Sequence, residues 1–186
     1  MKMEVDGWRS LYLLALKRTA APAGAKVFSY YLETRTILFV FLGLSAIEIP
    51  IFDLVLSRWP AIRWPFLVLG IWGFLFMLGI YAGLRVHPHF VTNKELVIYA
   101  GPNFRLAIPK EQIYSAFFDE RNFETSKGFQ IDETEGDLRI NLVTMNQTNV
   151  SLEFKRPILV TKGPKSYEVR QLAFFADDAR SLVEAL

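Results

Sequence analysis

Two acids sit where the sequence is otherwise apolar. Glu48 and Asp53 lie in the second half of the hydrophobic segment 36–56, on either side of Pro50. A carboxylate near the middle of a bilayer costs about 2.5–3.5 kcal/mol on insertion scales, so such groups face protein, water or an interface. The pair could hold a proton or cation, or pair with Arg58 or Arg63 of the following loop; the simpler reading places them near the interface or against a partner's polar group. Five residues apart they share a helical face poorly, unless the missing hydrogen bond at Pro50 bends the segment.

Other chemistry-bearing residues are sparse. His87 and His89 flank Pro88 on an expected strand and would point to one face. His-x-His can ligate zinc, copper or iron, but these are the only histidines, and carboxylates would have to complete the site. They read more simply as polar residues near the membrane surface. Lys155, Arg156, Lys162 and Lys165 lie in an acid-free segment, 154–167, which could attract anionic lipid at about 1 kcal/mol per basic residue or be a solvated loop. The acids Asp132, Glu133, Glu135 and Asp137 read as a solvated loop. With no cysteine there is no thiolate nucleophile, disulfide or cysteine zinc site, and a small secreted disulfide scaffold is excluded. Phosphate-binding glycine loops, HExxH and GxSxG are absent. No enzyme activity, cofactor or metal is assigned.

The elements that carry these residues begin with 64–84, a stretch of 21 positions without a charge, between Arg63 and Arg85. As a helix it covers roughly 30 Å, a bilayer's hydrocarbon core. Segment 36–56 is the weaker first span, and 57–63, with Trp59 beside Trp64, reads as an interfacial turn. Gly79 and Gly83, with Gly70 and Gly73 upstream, form a small-residue face for close helix packing, against the first span before any second copy or larger membrane partner. Residues 6–18 read as an amphipathic helix with Asp6 as N-cap and Lys17 and Arg18 in its last turn, lying at the membrane interface or on the globular part. The stretch 20–25 is a linker. No cleaved signal peptide is expected.

Charge sets the expected orientation. Residues 1–84 carry 8 basic and 5 acidic side chains, residues 85–186 carry 13 and 14, and six of the basic residues precede the first span. The positive-inside rule then puts both termini in the cytoplasm of a multi-pass protein of the cell membrane. Such a mixed-charge globular half gives no footprint for nucleic acid.

After Arg85 the hydrophobic period becomes alternating. Seven strands are predicted, at 86–91, 96–100, 105–108, 113–121, 138–144, 150–155 and 168–175, followed by a helix at 179–186 capped by Asp177 and Asp178. The division is thus 1–34 amphipathic helix and linker, 35–85 two-helix transmembrane hairpin, and 86–186 β-domain. The fold class is an α+β membrane protein with an antiparallel barrel or sandwich closed by a C-terminal helix.

The exit from the second span, Leu84-Arg85-Val86-His87-Pro88, the pair around Leu96-Val97-Ile98-Tyr99 and Gly101, the Ala107-Ile108-Pro109 to Ile113 step and the closing Ala176-Asp177-Asp178-Ala179-Arg180 turn resemble the pleckstrin-homology-like domains of bacterial two-pass membrane proteins. So do the block Gly7-Trp8-Arg9-Ser10-Leu11-Tyr12 and the segment Ala46-Ile47-Glu48-Ile49-Pro50. The resemblance implies a seven-stranded barrel capped by a helix at the cytoplasmic face, and no activity. The loop that carries a basic cluster in phosphoinositide-binding members is here Thr92-Asn93-Lys94-Glu95, which removes the basis for that specificity.

Three functional expectations follow. The first is a non-enzymatic scaffold that presents the β-domain for protein or anionic-lipid docking, with the bilayer and a membrane protein or second copy as partners. The second is an accessory subunit of a transporter or channel using Glu48 and Asp53. The third is a membrane metalloenzyme built on His87 and His89.

Overall fold

The computed structural model describes residues 2–101, 103–134 and 137–186, apart from the side chains of residues 2–6 and 134. Helix α1 (Lys2–Ala15) leads to strand β1 (Lys26–Phe28) and the long helix α2 (Leu32–Val55), which a 3-10 turn (Leu56–Arg58) joins to α3 (Pro60–Val86). Pro60 starts α3 at a position whose amide needs no partner. At about 1.5 Å per residue, the 24 and 27 residues of α2 and α3 are long enough to cross a bilayer. Only 6% and 17% of their most apolar windows are buried, unlike the mostly buried core helices of a soluble protein. Phe41, Leu54, Val68 and Leu69 are among the exposed side chains, a surface suited to lipid rather than water.

Two corrections concern α1. It starts at Lys2, before the expected Asp6 cap, and ends at Ala15, before the two basic residues. Lys17 takes φ 54°, and the Arg18 amide donates to Leu13 O while the Lys17 amide donates to Leu14 O. This double closure is a Schellman stop with lysine in the place usually given to glycine. The helix also lies on α3 rather than on the β-domain. A Cβ added at Gly79 would sit 3.3 Å from Gly7 Cα, so the two backbones touch through a pair of glycines. Packing of α2 on α3 uses a different glycine, since a Cβ at Gly70 would meet Ile49 at 3.1 Å.

Among the described residues the β-domain has nine strands in two open sheets, not seven in a barrel. Sheet A has the order β1-β2-β3-β4, with β2 (His89–Val91), β3 (Glu95–Tyr99) and β4 (Arg105–Pro109), all antiparallel. Sheet B has the order β5-β8-β9-β7-β6, from β5 (Ile113–Asn122), β6 (Gln130–Thr134), β7 (Asp137–Leu142), β8 (Gln147–Lys162) and β9 (Lys165–Phe174). The β7–β9 pair is parallel. Helix α4 (Ala179–Glu184) sends Ala179 and Leu182 into a core shared with Leu96 and Ile98 of sheet A and Leu152 and Leu172 of sheet B. Alternate residues of β3, Val97 and Tyr99, join Tyr30, Phe90 and Phe175 in a second cluster. Strand β3 is therefore buried on both faces, as its uninterrupted Leu-Val-Ile-Tyr requires.

Three expected loops or linkers are strands. The linker contributes β1, so the N-terminal segment is part of the β-domain. The acids Asp132 and Glu133 lie on β6, an edge strand where outward charge is tolerated; Asp137 opens β7, and Glu135 lies outside the described residues. The basic segment continues β8, which passes Pro157 by a bulge: Glu153 pairs with Gln171 and Ile158 with Val169.

Gly79→Leu should destabilise the detergent-solubilised protein by about 1–3 kcal/mol, as overpacking does. Gly73, which faces open space, should tolerate leucine within about 0.5 kcal/mol. Thermal melts of the two variants check this, and equal melting would remove α1 from that face.

Candidate functional site

Three places combine polar chemistry with unusual surroundings. The first is the joint between helices and β-domain. His89 is 1% exposed. Its Nε2 lies 2.9 Å from Phe175 O, and the Tyr99 amide donates to its Nδ1 at 3.1 Å. These partners define the neutral Nε2–H tautomer, because one nitrogen must donate and the other accept. Tyr30 stacks on the imidazole at 4.5 Å, and Phe174 meets it edge-on at 5.2 Å. Burial holds the His89 pKa down to about 4, against a smaller opposing effect of the Phe175 hydrogen bond. Burial likewise pushes the Tyr30 phenol above its usual range, although its oxygen accepts from the Gly101 amide at 3.1 Å.

Beside this ring, Asp177 accepts from the amides of Tyr31 and Leu32 at 3.2 Å each, and its own amide donates to Ser29 O at 2.8 Å. It caps the start of α2 from the far end of β9, where Tyr31 itself provides no side-chain cap. Of the two acids expected to cap the last helix, only Asp178 does so, accepting from the Ser181 amide at 3.1 Å. Asn149 holds the neighbouring Ala176 by both of its backbone groups, at 2.8 and 2.9 Å.

The histidines therefore do not share a metal-facing side. His87 stands after α3, outside β2, with Nδ1 3.0 Å from Gly83 O and its ring against Tyr99, while both nitrogens of His89 are engaged by backbone. Among the described residues no three His, Asp or Glu side chains converge as a metal site.

The second place lies between α2 and α3. Arg63 grips Asp53 through Nε and Nη2 at 2.6 and 2.8 Å, the two-pronged geometry that suits a carboxylate best. Glu48, Asp53, Arg63, Ser45 and Gly70 line one cavity of about 180 Å³. The two acids do share a space, despite their spacing. Among the described residues Glu48 has no ion-pair partner, and Arg58 stands exposed on the turn.

The third place is a cavity of about 370 Å³ in the β-domain, beside the end of α3. Its walls include Leu84, Asn103, Phe129, Thr144, Thr161 and Lys162. The Lys162 ammonium lies 4.0 Å from the Phe129 ring centroid, a cation–π contact, and partial burial lowers its pKa. The expected basic group is divided. Lys162 and Lys165 face each other across the β8–β9 turn, whereas Lys155 and Arg156 sit at the bulge, with Lys155 donating to Glu111 O at 2.7 Å. Lys155 lies seven residues before Lys162 along β8, about 23 Å for an extended strand. The expected packing glycines are both buried on α3, Gly79 against Gly7 and Gly83 beneath His87.

A polar ladder on the outer face of sheet B was not foreseen. Buried Arg139 donates to Asn141, Ser151, Gln171 and Asp119, and Asn141 donates to Asp132. The alternation of Arg139 and Asn141 with Leu138, Ile140 and Leu142 was its available signal. Its charges are matched within the sheet, consistent with a structural role.

The neutral His89 sets a pH test. Its folded pKa is depressed, so its contribution is complete above about pH 6.5, the unfolded value, and is lost as pH falls toward 4. The loss is roughly 3 kcal/mol. Thermal melts by circular dichroism at pH 7.5, 6, 5 and 4 should show this slope in the native protein and a much flatter one in His89→Gln; parallel slopes would sink the assignment.

No protein family, curated protein or solved structure matches the chain, so no relative carries a function over to it.

Proposed function

We propose that this chain is a non-enzymatic protein of the cell membrane that holds a β-domain against the cytoplasmic face, where it docks anionic lipid or a protein partner. One observation carries the reading: the β-domain is fastened to the helices rather than tethered to them. Asp177 caps α2, β1 adds to sheet A directly before α2, and only His87 and Pro88 separate α3 from β2. A domain so fixed has a constant height and orientation relative to the bilayer, which favours docking at a surface. The exposed apolar helices support two spans, and the excess of basic residues before α2 supports a cytoplasmic N-terminus.

A relation to pleckstrin-homology-like domains belongs to the same proposal. Two packed sheets with a C-terminal helix in their core agree with it; nine strands and the parallel β7–β9 pair depart from it.

A second reading rests on Glu48. An acid without an ion-pair partner, in a cavity beside a satisfied Asp53–Arg63 pair, is suited to a basic or hydrogen-bonding group from another membrane helix. This would make the chain an accessory subunit of a transporter or channel.

The native chain lacks cysteine, so single introduced cysteines report topology. Lys127→Cys should react with an impermeant maleimide only when the cytoplasmic side is opened, and Ser57→Cys from the outside of intact cells. The reverse pattern would refute the orientation. Glu48→Gln keeps the shape and removes the charge; a partner recovered in mild detergent with the native chain and lost with this variant would favour the accessory reading.

A further inference from the structure

An apolar groove of about 200 Å³ runs between α1 and α3. Trp8 and Leu11 form one wall, and Trp72, Phe76, Ile80 and Leu84 the other. Trp8 and Trp72 are about half exposed, so the groove opens sideways onto the surface that lipid would cover. From Trp72 to Leu84 is twelve residues, about 18 Å along the helix, close to the hydrocarbon depth of one leaflet at roughly 15 Å.

The groove does not end blindly. Leu84, Gly101 and Asn103 line it and also line the 370 Å³ cavity of the β-domain. The chemistry changes along this path. The membrane end is hydrocarbon and indole; the far end offers the Asn103 amide, the hydroxyls of Thr144 and Thr161, and the Lys162 ammonium. Lys162 is the only charged side chain among the described residues lining either cavity. Its position over Phe129 holds a cation at the mouth without neutralising it.

We propose that this path binds one anionic phospholipid from the leaflet nearest the β-domain, with an acyl chain between α1 and α3 and the phosphate beside Lys162 and Asn103. The occupant follows from three matched properties: an apolar slot of one-leaflet length, an opening toward lipid, and a single cation at the end where a headgroup would lie. The inference rests on the membrane-anchored reading and assigns the lipid to this path. Lys155 and Arg156 at the distant bulge do not take part. Gly7 and Gly79 acquire a further purpose, because their contact places α1 close enough to form the second wall.

The test uses the full chain in mild detergent, titrated with phosphatidylglycerol or phosphatidylcholine and examined by native mass spectrometry. One phosphatidylglycerol should be retained, in preference to phosphatidylcholine. Lys162→Gln should weaken phosphatidylglycerol about tenfold and bring the two lipids level, as loss of a charge-assisted hydrogen bond does. Ile80→Trp should block both lipids by filling the groove, while Lys155→Gln leaves retention unchanged. Circular dichroism melts identify any variant that misfolds, and Lys162→Gln, at an exposed hairpin end, supplies the decisive comparison. A preference for phosphatidylglycerol as strong in Lys162→Gln as in the native chain overturns the headgroup assignment and with it the proposal. Retention of no lipid by a native chain that resists alkaline extraction from membranes overturns the site but leaves the anchored module standing. A native chain released by alkali overturns both.

Discussion

The arrangement of this molecule depends on keeping one imidazole neutral and dry. His89 opens β2 immediately after α3 and is reached by three parts of the chain: Tyr30 from the linker, the Tyr99 amide from β3 and the Phe175 carbonyl after β9. A charged imidazolium would have to donate from both nitrogens, and at Nδ1 it would meet another donor. The neutral ring satisfies one donor and one acceptor that the surrounding backbone would otherwise bury unpaired. Its placement brings Phe175 against the linker, and two residues later Asp177 reaches the amides that begin α2. The orientation of the β-domain is thus decided by hydrogen bonds within a few residues of the helix ends.

Helix α3 is the spine on which the other two helices lie. It uses different glycines for different neighbours, Gly79 for α1 and Gly70 for α2, and leaves Gly73 uncovered. Dispersion between close backbones is the attraction available when lipid is the competing solvent, since apolar side chains gain little by leaving it. The Asp53–Arg63 pair adds a directional contact near the hairpin turn, and Tyr81 packs on Tyr31 and Phe39 near the opposite end. Packing at both ends restricts sliding of α2 along α3. Glu48 stands outside this economy of contacts, which is what makes it a candidate for a partner's polar group.

Local pattern made much of the fold legible. The uncharged run after Arg63 led to α3, the apolar run from Leu96 and the alternation around Leu138 led to β3 and β7, and Asp178 is the cap its position suggested. The failures share a physical cause, dependence on contacts made outside the segment itself. Lys26–Phe28 has only three residues and becomes a strand because β2 offers it an edge. Asp132 and Glu133 look like a loop until β7 pairs with them and Asn141 donates to Asp132. Asp177 looked like a local cap, yet its carboxylate crosses to a helix 145 residues earlier. The four basic residues were contiguous only in sequence, because an extended strand carries its ends apart. The shared cavity of Glu48 and Asp53 depends on how α2 meets α3, which residue spacing alone does not determine.

The same reasoning bears on what can be separated from what. Residues 86–186 looked like a free-standing β-domain, but sheet A is incomplete without β1, and the outer face of β3 is covered by Tyr30, with Ala21, Ala25 and Leu84 packed beside it. Cutting at Arg85 would remove a strand and expose Val97, Phe90 and Tyr99 together, a patch that favours association over folding. The N-terminal segment therefore serves both halves of the molecule: its helix packs on α3, and the next dozen residues complete the β-domain. A chain built this way cannot change the position of its β-domain without disturbing the contacts that bury His89, so the placement of the β-domain and the state of the helices are mechanically linked.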